Sequence, residues 1–347
     1  MNNRFDITFH PGWWYKNAGI SFDRRFFDDC VYRVEADMCM RRVLFDKFGL
    51  GEENPVSRPI LGSDLIAAGY IFSEMLGCQI NYSENSSPKV IREEIGFADL
   101  DTLSKVTLET SPQWERVEEQ IVFLLKEYGA VIPCINLMGI QNIALDLRGQ
   151  QIFMDYYDEP SFVHELFSII THLMISAGKR LKILSKNVSA GVTAIVGKTV
   201  QDVFLTSNCS VDMVSLKTYS EFLLPYDNML AESFSPFGIH HCGGHMERIA
   251  PGYALVKNLK FAEVGAGSDL TSVARMLQKD VMINARYSPV KLAKVSKDEL
   301  EKDLESYAEA VGDTKRLSVS CVGIDANVSD KQVSLFLDTC QTVLNNA

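Results

Sequence analysis

The sequence predicts an α/β fold, and within that class a (β/α)8 barrel of the TIM type. Three observations lead to this class. Short apolar runs alternate with amphipathic helical patterns from residue 111 to the C-terminus, no GxGxxG follows an early strand, and 347 residues suit one barrel with additions. The even spacing favours a closed barrel over an open doubly wound sheet.

The elements can be assigned in order along the chain. Residues 111–128 carry apolar side chains at helical spacing, and Gly129 ends that helix. The run 130–139 has strand character, and Pro160 then begins a second long helix. Further strands are predicted at 192–197, 237–242, 259–265, 281–285 and 316–323. Further helices are predicted from Thr218 with Glu221 completing a capping box, around 246–257, from Ser296 and Glu299 to Gly312, and after Ser329 and Gln332.

Two parts are expected along the chain. Residues 1–60 are dense in aromatic side chains and are predicted to form an N-terminal extension that covers the barrel, and residues 61–347 are predicted to form the barrel itself. Neither a fixed-period repeat nor a Pro/Ser-rich linker suggests a second independent domain.

The composition excludes several classes of function. The chain has 34 basic and 45 acidic side chains, a net charge of −11, and no cluster of cations, which argues against binding nucleic acid. It has no uncharged apolar run of roughly 18 residues and no signal-peptide pattern, so neither membrane insertion nor secretion is expected and the cytoplasm is the expected compartment. The 8 cysteines form no CxxC pair and are expected to be reduced.

Three residues are predicted to meet at one metal ion. His240 and Cys242 alternate at the end of a predicted strand, so their side chains share a face, and Cys321 lies near the end of another. Carboxyl ends of barrel strands converge, and an imidazole with two thiolates suits zinc and leaves one exchangeable position. The alternative is that both cysteines are small buried apolar residues and His240 a satisfied polar group.

Other polar residues are candidates for the same site. Glu263 ends the strand after His240 and is either a fourth zinc ligand or a carboxylate behind the ligands. Ser207, Asn208 and Cys209 follow another strand-end pattern and are predicted to line the pocket; the alternative is a capped turn. Asn208 and Glu263 are the two residues assigned a catalytic role.

Two segments resemble a known family. MGIQNIALDLRGQQIFMDYYDEPSFVHELF (138–167), and YSEFLLPYDNML (219–230) followed by H-x-C-G, are similar to the uroporphyrinogen decarboxylase superfamily, whose fold is a distorted (β/α)8 barrel. The R-Q-A-G-R signature of the decarboxylases is absent. The H-x-C…C pattern instead resembles the family's zinc methyltransferases, which work with corrinoid proteins. That resemblance implies His240, Cys242 and Cys321 as zinc ligands and a separate corrinoid protein as partner.

The resemblance leaves the methyl donor open. Trp13, Trp14, Tyr15 and Phe26 favour an apolar slot for a methoxylated aromatic donor, as in O-demethylation, and an aromatic packing cluster is the alternative. Lys16, with Arg24 and Arg25, keeps a methylcobamide:thiol transfer to a coenzyme M-type acceptor open. Uroporphyrinogen decarboxylation is the third reading.

Overall fold

The structure, a computed structural model, describes residues 4–92, 94–186, 188 and 194–346. Its strands are β1 (Phe5–Phe9), β2 (Ile60–Gly62), β3 (Gln79–Ser83), β4 (Ser86–Ile91), β5 (Ile132–Cys134), β6 (Phe204–Ser207), β7 (Phe237–His241), β8 (Leu259–Val264), β9 (Met282–Tyr287) and β10 (Leu317–Ile324).

The α-helices of the described residues run between and after these strands. They are α1 (Pro11–Ala18), α2 (Arg24–Asp28), α3 (Cys30–Phe48), α4 (Ile71–Met75), α5 (Phe97–Leu103), α6 (Pro112–Tyr128), α7 (Ile140–Arg148), α8 (Ile152–Asp158), α9 (Pro160–Ser185), α10 (Ala194–Thr199), α11 (Leu216–Thr218), α12 (Leu224–Ser233), α13 (Ala250–Tyr253), α14 (Leu270–Met276), α15 (Pro289–Leu292), α16 (Lys297–Val311) and α17 (Asp330–Asn346). Short 3₁₀ turns occur at Gly149–Gln151, Cys209–Met213, Met246–Arg248 and Thr314–Arg316, and a π-helical turn, Tyr219–Leu223, joins α11 to α12.

The parallel strands form an α/β barrel. Six lie in the order β1-β10-β9-β8-β7-β6, and β2 pairs with β5 in a separate two-stranded ladder. Placed between β1 and β6, that pair completes the order of eight strands expected of a (β/α)8 barrel. Ser207 at the end of β6 donates its backbone N–H to the carbonyl of Met138, just after β5, at 2.9 Å. The predicted fold class is therefore confirmed.

Several predicted boundaries follow from local chemistry. Ser111 accepts the N–H of Trp114, and Gly129 ends α6 with φ of 73°. Ser296 and Glu299 form the predicted capping box of α16. Each of these ends was readable because the capping side chain acts within its own turn.

The predicted strand at 192–197 is wrong where the structure describes it. Residues 192 and 193 lie outside the described part, and Ala194–Thr199 is helix α10. Ile195 and Val196 pack in a small apolar cluster with Val203, so burial rather than strand pairing explains their apolar character. A short apolar run has no periodicity that separates strand from helix. The strand that follows α9 is β6, ten residues downstream of Ala194.

Two helices differ in their bounds from the prediction. The helix expected from Thr218 begins at Leu216, because Ser215 accepts the N–H of Thr218 and caps it. The segment expected to be helical over 246–257 is a 3₁₀ turn followed by the short α13.

Residues 1–60 contribute to the barrel itself. β1 pairs in parallel with β10, with Phe5 opposite Val319 and Ile7 opposite Cys321. The barrel therefore begins at Phe5, inside the segment that the sequence assigns to a covering extension, because β1 supplies its first strand. Separately, none of the helices in the described ranges combines the length and apolarity needed to cross a membrane.

Candidate metal centre

The pairing of β6 with β7 brings two cysteines together. Ser207 is the register partner of His240, and the N–H of Asn208 donates to the His240 carbonyl at 2.7 Å. Continuing that register by two residues places Cys209 opposite Cys242. One donor atom from each of Cys209, His240 and Cys242 lies within 4.8 Å of the others. These three residues, the Cys-His-Cys cluster, sit at the carboxyl ends of neighbouring strands, where barrel sites form.

Glu263 fixes the orientation of the His240 ring. Its Oε2 accepts from Nδ1 of His240 at 2.6 Å, and the two residues are register partners on β8 and β7. His240 is 5% exposed and Glu263 fully buried. Because Nδ1 is engaged by the carboxylate, Nε2 is the nitrogen left to face the cysteines.

The ionisable groups of the cluster shift the pKa values of one another. The pKa of Cys209 lies well below its ordinary value because Cys242 hydrogen bonds to its thiolate, with further help from the charge of His240. Burial opposes charge on His240, but Glu263 and Cys209 outweigh it and raise the His240 pKa to about 10. The pKa of Cys242 is raised, chiefly because its thiol donates a hydrogen bond to the Cys209 thiolate. The surroundings of the cluster therefore stabilise a positive charge next to the Cys209 thiolate. A site that binds a cation needs this property.

Cys321 does not join this cluster. His240, Glu263, Asn284 and Ser318 are successive register partners across β7 to β10, so they share the inner face. Cys321 is offset by an odd number of residues from Ser318 and therefore points to the outer face. There, burial raises its pKa to about 12. In the structure Cys209, which the sequence had only placed near the pocket, lies with His240 and Cys242 where the sequence had expected Cys321.

The Cys-His-Cys cluster fits a zinc ion. In a tetrahedral site with zinc–sulfur bonds of about 2.3 Å, two thiolates lie about 3.8 Å apart, within the spread found for these donors. Two thiolates and an imidazole are borderline-soft donors that suit zinc better than magnesium or calcium. Cys242 is exposed, so the fourth position can face solvent or a substrate. Glu263 hydrogen bonds to His240 on the side away from the cysteines. This position favours a carboxylate behind the ligands over a fourth zinc ligand.

Asn208 belongs to a buried network behind the cluster. Its side-chain amide donates to Asp227 at 2.8 Å, and Tyr219 donates its hydroxyl to the same carboxylate oxygen at 2.8 Å. Burial raises the pKa of Asp227 to about 6. Asn208 therefore connects the Cys209 turn to α12 through its hydrogen bond to Asp227. Its catalytic role stays a prediction.

Comparisons with known proteins cover most of the barrel. A model of the family described as uroporphyrinogen decarboxylase (URO-D) matches residues 63–343. The chain belongs to the uroporphyrinogen decarboxylase family. A comparison with curated protein sequences finds no significant match.

Solved structures show the same fold in distant proteins. A methyltransferase from Methanosarcina mazei superposes with a TM-score of 0.64 at 15% identity, over 96% of this chain and 93% of that one. A B12-independent methionine synthase from a Shewanella species, in complex with selenomethionine, matches with a TM-score of 0.43 at 11% identity, over 78% and 74% of the two chains. The first match shows that this family member has the fold of the Methanosarcina protein.

A cleft opens at the ends of β2 and β5. Phe27, Ile66 and Tyr70 give it apolar walls, and Asn136 also lines it. Asn136 accepts a hydrogen bond from the Ser207 hydroxyl at 3.2 Å, and Ser207 is the register partner of His240. Asn136 and Ser207 therefore connect the lining of the cleft to the strand that carries His240.

The aromatic residues predicted to line the pocket have other positions. Trp13, Trp14 and Phe26 are buried in the main hydrophobic core. Trp13 stacks on Phe9 with ring centroids 3.8 Å apart, while Tyr15 is 42% exposed. The positions of Trp13, Trp14 and Phe26 on α1 and α2 let them pack against α3 and β1. They therefore form an aromatic packing cluster, the alternative that the sequence left open. Phe27, next to Phe26, is the aromatic residue of this segment that faces the cleft.

Proposed function

We propose that this chain is a zinc-dependent methyltransferase that moves a methyl group from a methoxylated, aromatic donor to the Co(I) corrinoid of a separate protein. The observation that carries the proposal is the convergence of Cys209, His240 and Cys242 at the carboxyl ends of two neighbouring strands. Such a donor set with an open position is typical of catalytic zinc sites.

The proposed transfer needs negative charge to be stabilised on one atom. The carbon–oxygen bond of the ether breaks, its electron pair stays on oxygen, and Co(I) supplies the pair for the new cobalt–carbon bond. Bound zinc would supply Lewis acidity at that oxygen. Cys209, His240 and Cys242 would hold the ion, and Glu263 keeps the His240 ring in place through its 2.6 Å hydrogen bond. The apolar walls of the cleft suit an aromatic ring.

Methyl transfer explains more of the site than decarboxylation does. A metal-independent decarboxylase has no use for two thiols gathered around an oriented imidazole, whereas a Lewis-acid site needs them. The arginine signature of the decarboxylases is also absent from the sequence. The structurally similar Methanosarcina protein is described as a methyltransferase. These points support methyl transfer, rather than decarboxylation, by this member of the uroporphyrinogen decarboxylase family.

The metal part of the proposal is tested by elemental analysis of purified variants. We expect about one zinc per chain, with loss of zinc in Cys209→Ala and Cys242→Ala. Cys321→Ala is the matched control, because that cysteine is buried on the outer face and its removal leaves the cluster intact. Loss of zinc in Cys321→Ala with retention in Cys209→Ala would reverse the assignment, and a zinc-free, fully active protein would reject the proposal.

The transfer part is tested with free Co(I) corrinoid and two sets of substrates. Methoxylated arenes should convert Co(I) to methyl-Co(III), and the change in corrinoid absorbance measures this conversion. The Cys209→Ala variant should not catalyse the reaction. Demethylation of methyl-Co(III) by thiols alone would establish the methylcobamide:thiol transfer instead. Conversion of a carboxylated porphyrinogen without metal would establish the decarboxylase.

A further inference from the structure

Arg286 places a positive charge beside the Cys-His-Cys cluster. It lies on β9 two residues after Asn284, the register partner of Glu263, and so faces the barrel interior. Its Nε is 3.5 Å from Oε1 of Glu263, and its side chain is 15% exposed. The charge of Arg286 also lowers the pKa of Cys242, against the larger effects of the Cys209 hydrogen bond and of burial. The guanidinium is therefore close to both the cysteine and the carboxylate.

Within the described residues, the N–H donors of Arg286 have no hydrogen-bond acceptor. Across the described ranges, no acceptor takes a hydrogen bond from its guanidinium, since the 3.5 Å approach to Glu263 is an ion pair without good hydrogen-bond geometry. Its nitrogens are also not among the fully buried, unpartnered atoms, so they reach accessible space inside the barrel.

Other buried arginines of this chain behave differently. Arg33 donates to the carbonyls of Ile60, Phe26 and Phe27 and to the Gln120 side chain. Arg316 donates to the carbonyls of Val281 and Gln278. Those side chains hold the fold together. The mostly buried guanidinium of Arg286 instead has no hydrogen-bond acceptor among the described residues and lies next to the Cys-His-Cys cluster, an arrangement suited to binding an anion.

We propose that Arg286 binds a single anionic group, a carboxylate or a sulfonate, on the organic substrate whose methyl-bearing or methyl-accepting atom faces the Cys-His-Cys cluster. This inference rests on the proposed methyl transfer and narrows its substrate class. Arg286 is then a specificity-determining residue.

A charge count favours the carboxylate on an ether donor. Two thiolates offset the charge of a zinc ion, and Arg286 offsets Glu263, so the site has no net charge before substrate binds. A methoxylated carboxylate adds one negative charge to this half-buried site. A sulfonate-bearing thiolate adds two, and each additional buried charge without a partner is costly.

The experiment uses calorimetry to measure how tightly small-molecule probes bind to zinc-loaded protein in the absence of corrinoid. The probes are two matched pairs, 4-methoxybenzoate with its neutral methyl ester, and 2-mercaptoethanesulfonate with 2-mercaptoethanol. We expect the acid to bind about 10- to 100-fold more tightly than the ester, the range for one charge-assisted hydrogen-bonded pair. Arg286→Gln should remove that preference, and Arg286→Lys should keep part of it. A preference confined to the sulfonate pair would support Arg286 and assign the anion to the thiol.

Controls separate this inference from the proposed function. Arg248→Gln removes the same charge from an exposed residue six positions after Cys242. It should leave the ratio of affinities within each probe pair unchanged. Zinc content and thermal unfolding verify that Arg286→Gln is folded and loaded. If neither anion binds more tightly than its neutral partner, or if Arg286→Gln leaves the ratios unaltered, the inference is overturned. Loss of zinc from the wild type or absence of methyl transfer would instead reject the proposed function.

Discussion

The carboxylate of Glu263 accepts a hydrogen bond of 2.6 Å from Nδ1 of His240, with both residues buried between β7 and β8. A carboxylate behind a ligating imidazole fixes its tautomer and raises its basicity. The pKa of Glu263 is lowered despite burial, because His240 and Arg286 stabilise its charge. The hydrogen bond therefore holds the His240 ring in a fixed orientation next to Cys209 and Cys242.

Glu263→Gln should weaken zinc binding about 10- to 100-fold, the range for loss of such a partner. The amide keeps the shape of the side chain but loses the charge that makes His240 a better ligand. Competition with a chromophoric chelator measures the affinity, and Glu221→Gln, on an exposed residue, is the control. Equal affinity in wild type and Glu263→Gln would mean that the carboxylate does not support a ligand.

Asp227 should make stability depend on pH. Its pKa is raised from 3.8 to about 6 by burial. A carboxyl whose folded pKa is raised contributes stability below pH 4 that is lost as the pH rises through about 6, with an upper bound of about 3 kcal/mol. The free energy of unfolding of the wild type, compared with Asp227→Asn by urea titration, should fall relative to the variant between pH 4 and 7. A difference that stays constant over this range would contradict the burial of the charge.

The sequence predicts which strands carry the site residues better than it predicts the register between those strands. The end of β7 was readable because FGIHHC precedes a Gly-Gly turn, and alternation then joined His240 to Cys242. Choosing between Cys209 and Cys321 required the parity of each neighbouring strand relative to β7, which only the hydrogen-bond ladder supplies. Cys209 was placed in a strand-end loop that lines the pocket, but the strand before it was assigned to residues 192–197 instead of to the apolar FLTS run of β6. That run was the available signal for placing Cys209 at the tip of a strand next to β7.

Gly265 should be required for the position of Cys242. A Cβ at this position would lie 2.0 Å from the carbonyl oxygen of Gly243 and 2.6 Å from the carbonyl carbon of Cys242. Both are backbone atoms, so Gly265→Ala must displace the strand end, at a cost of about 1–3 kcal/mol typical of overpacking. We expect lower zinc affinity along with lower stability. Gly96→Ala is the control, because a Cβ there meets nothing within 4 Å; equal zinc affinity in both variants would show that the loop adapts.

Trp14 should matter for stability and not for substrate selection. It is 1% exposed, lies edge-on to Trp13 with centroids 5.0 Å apart, and donates its indole N–H to the carbonyl of Leu65 at 3.3 Å. Trp14→Ala should destabilise the protein by about 3–5 kcal/mol, because a large cavity opens in the core. Trp14→Phe should recover most of that loss, since the ring is largely replaced and one hydrogen bond is missing. Denaturant unfolding measures both, and KM for a methoxylated donor should stay unchanged in Trp14→Phe. Unaltered stability with a changed KM would return Trp14 to the pocket that its sequence position first suggested.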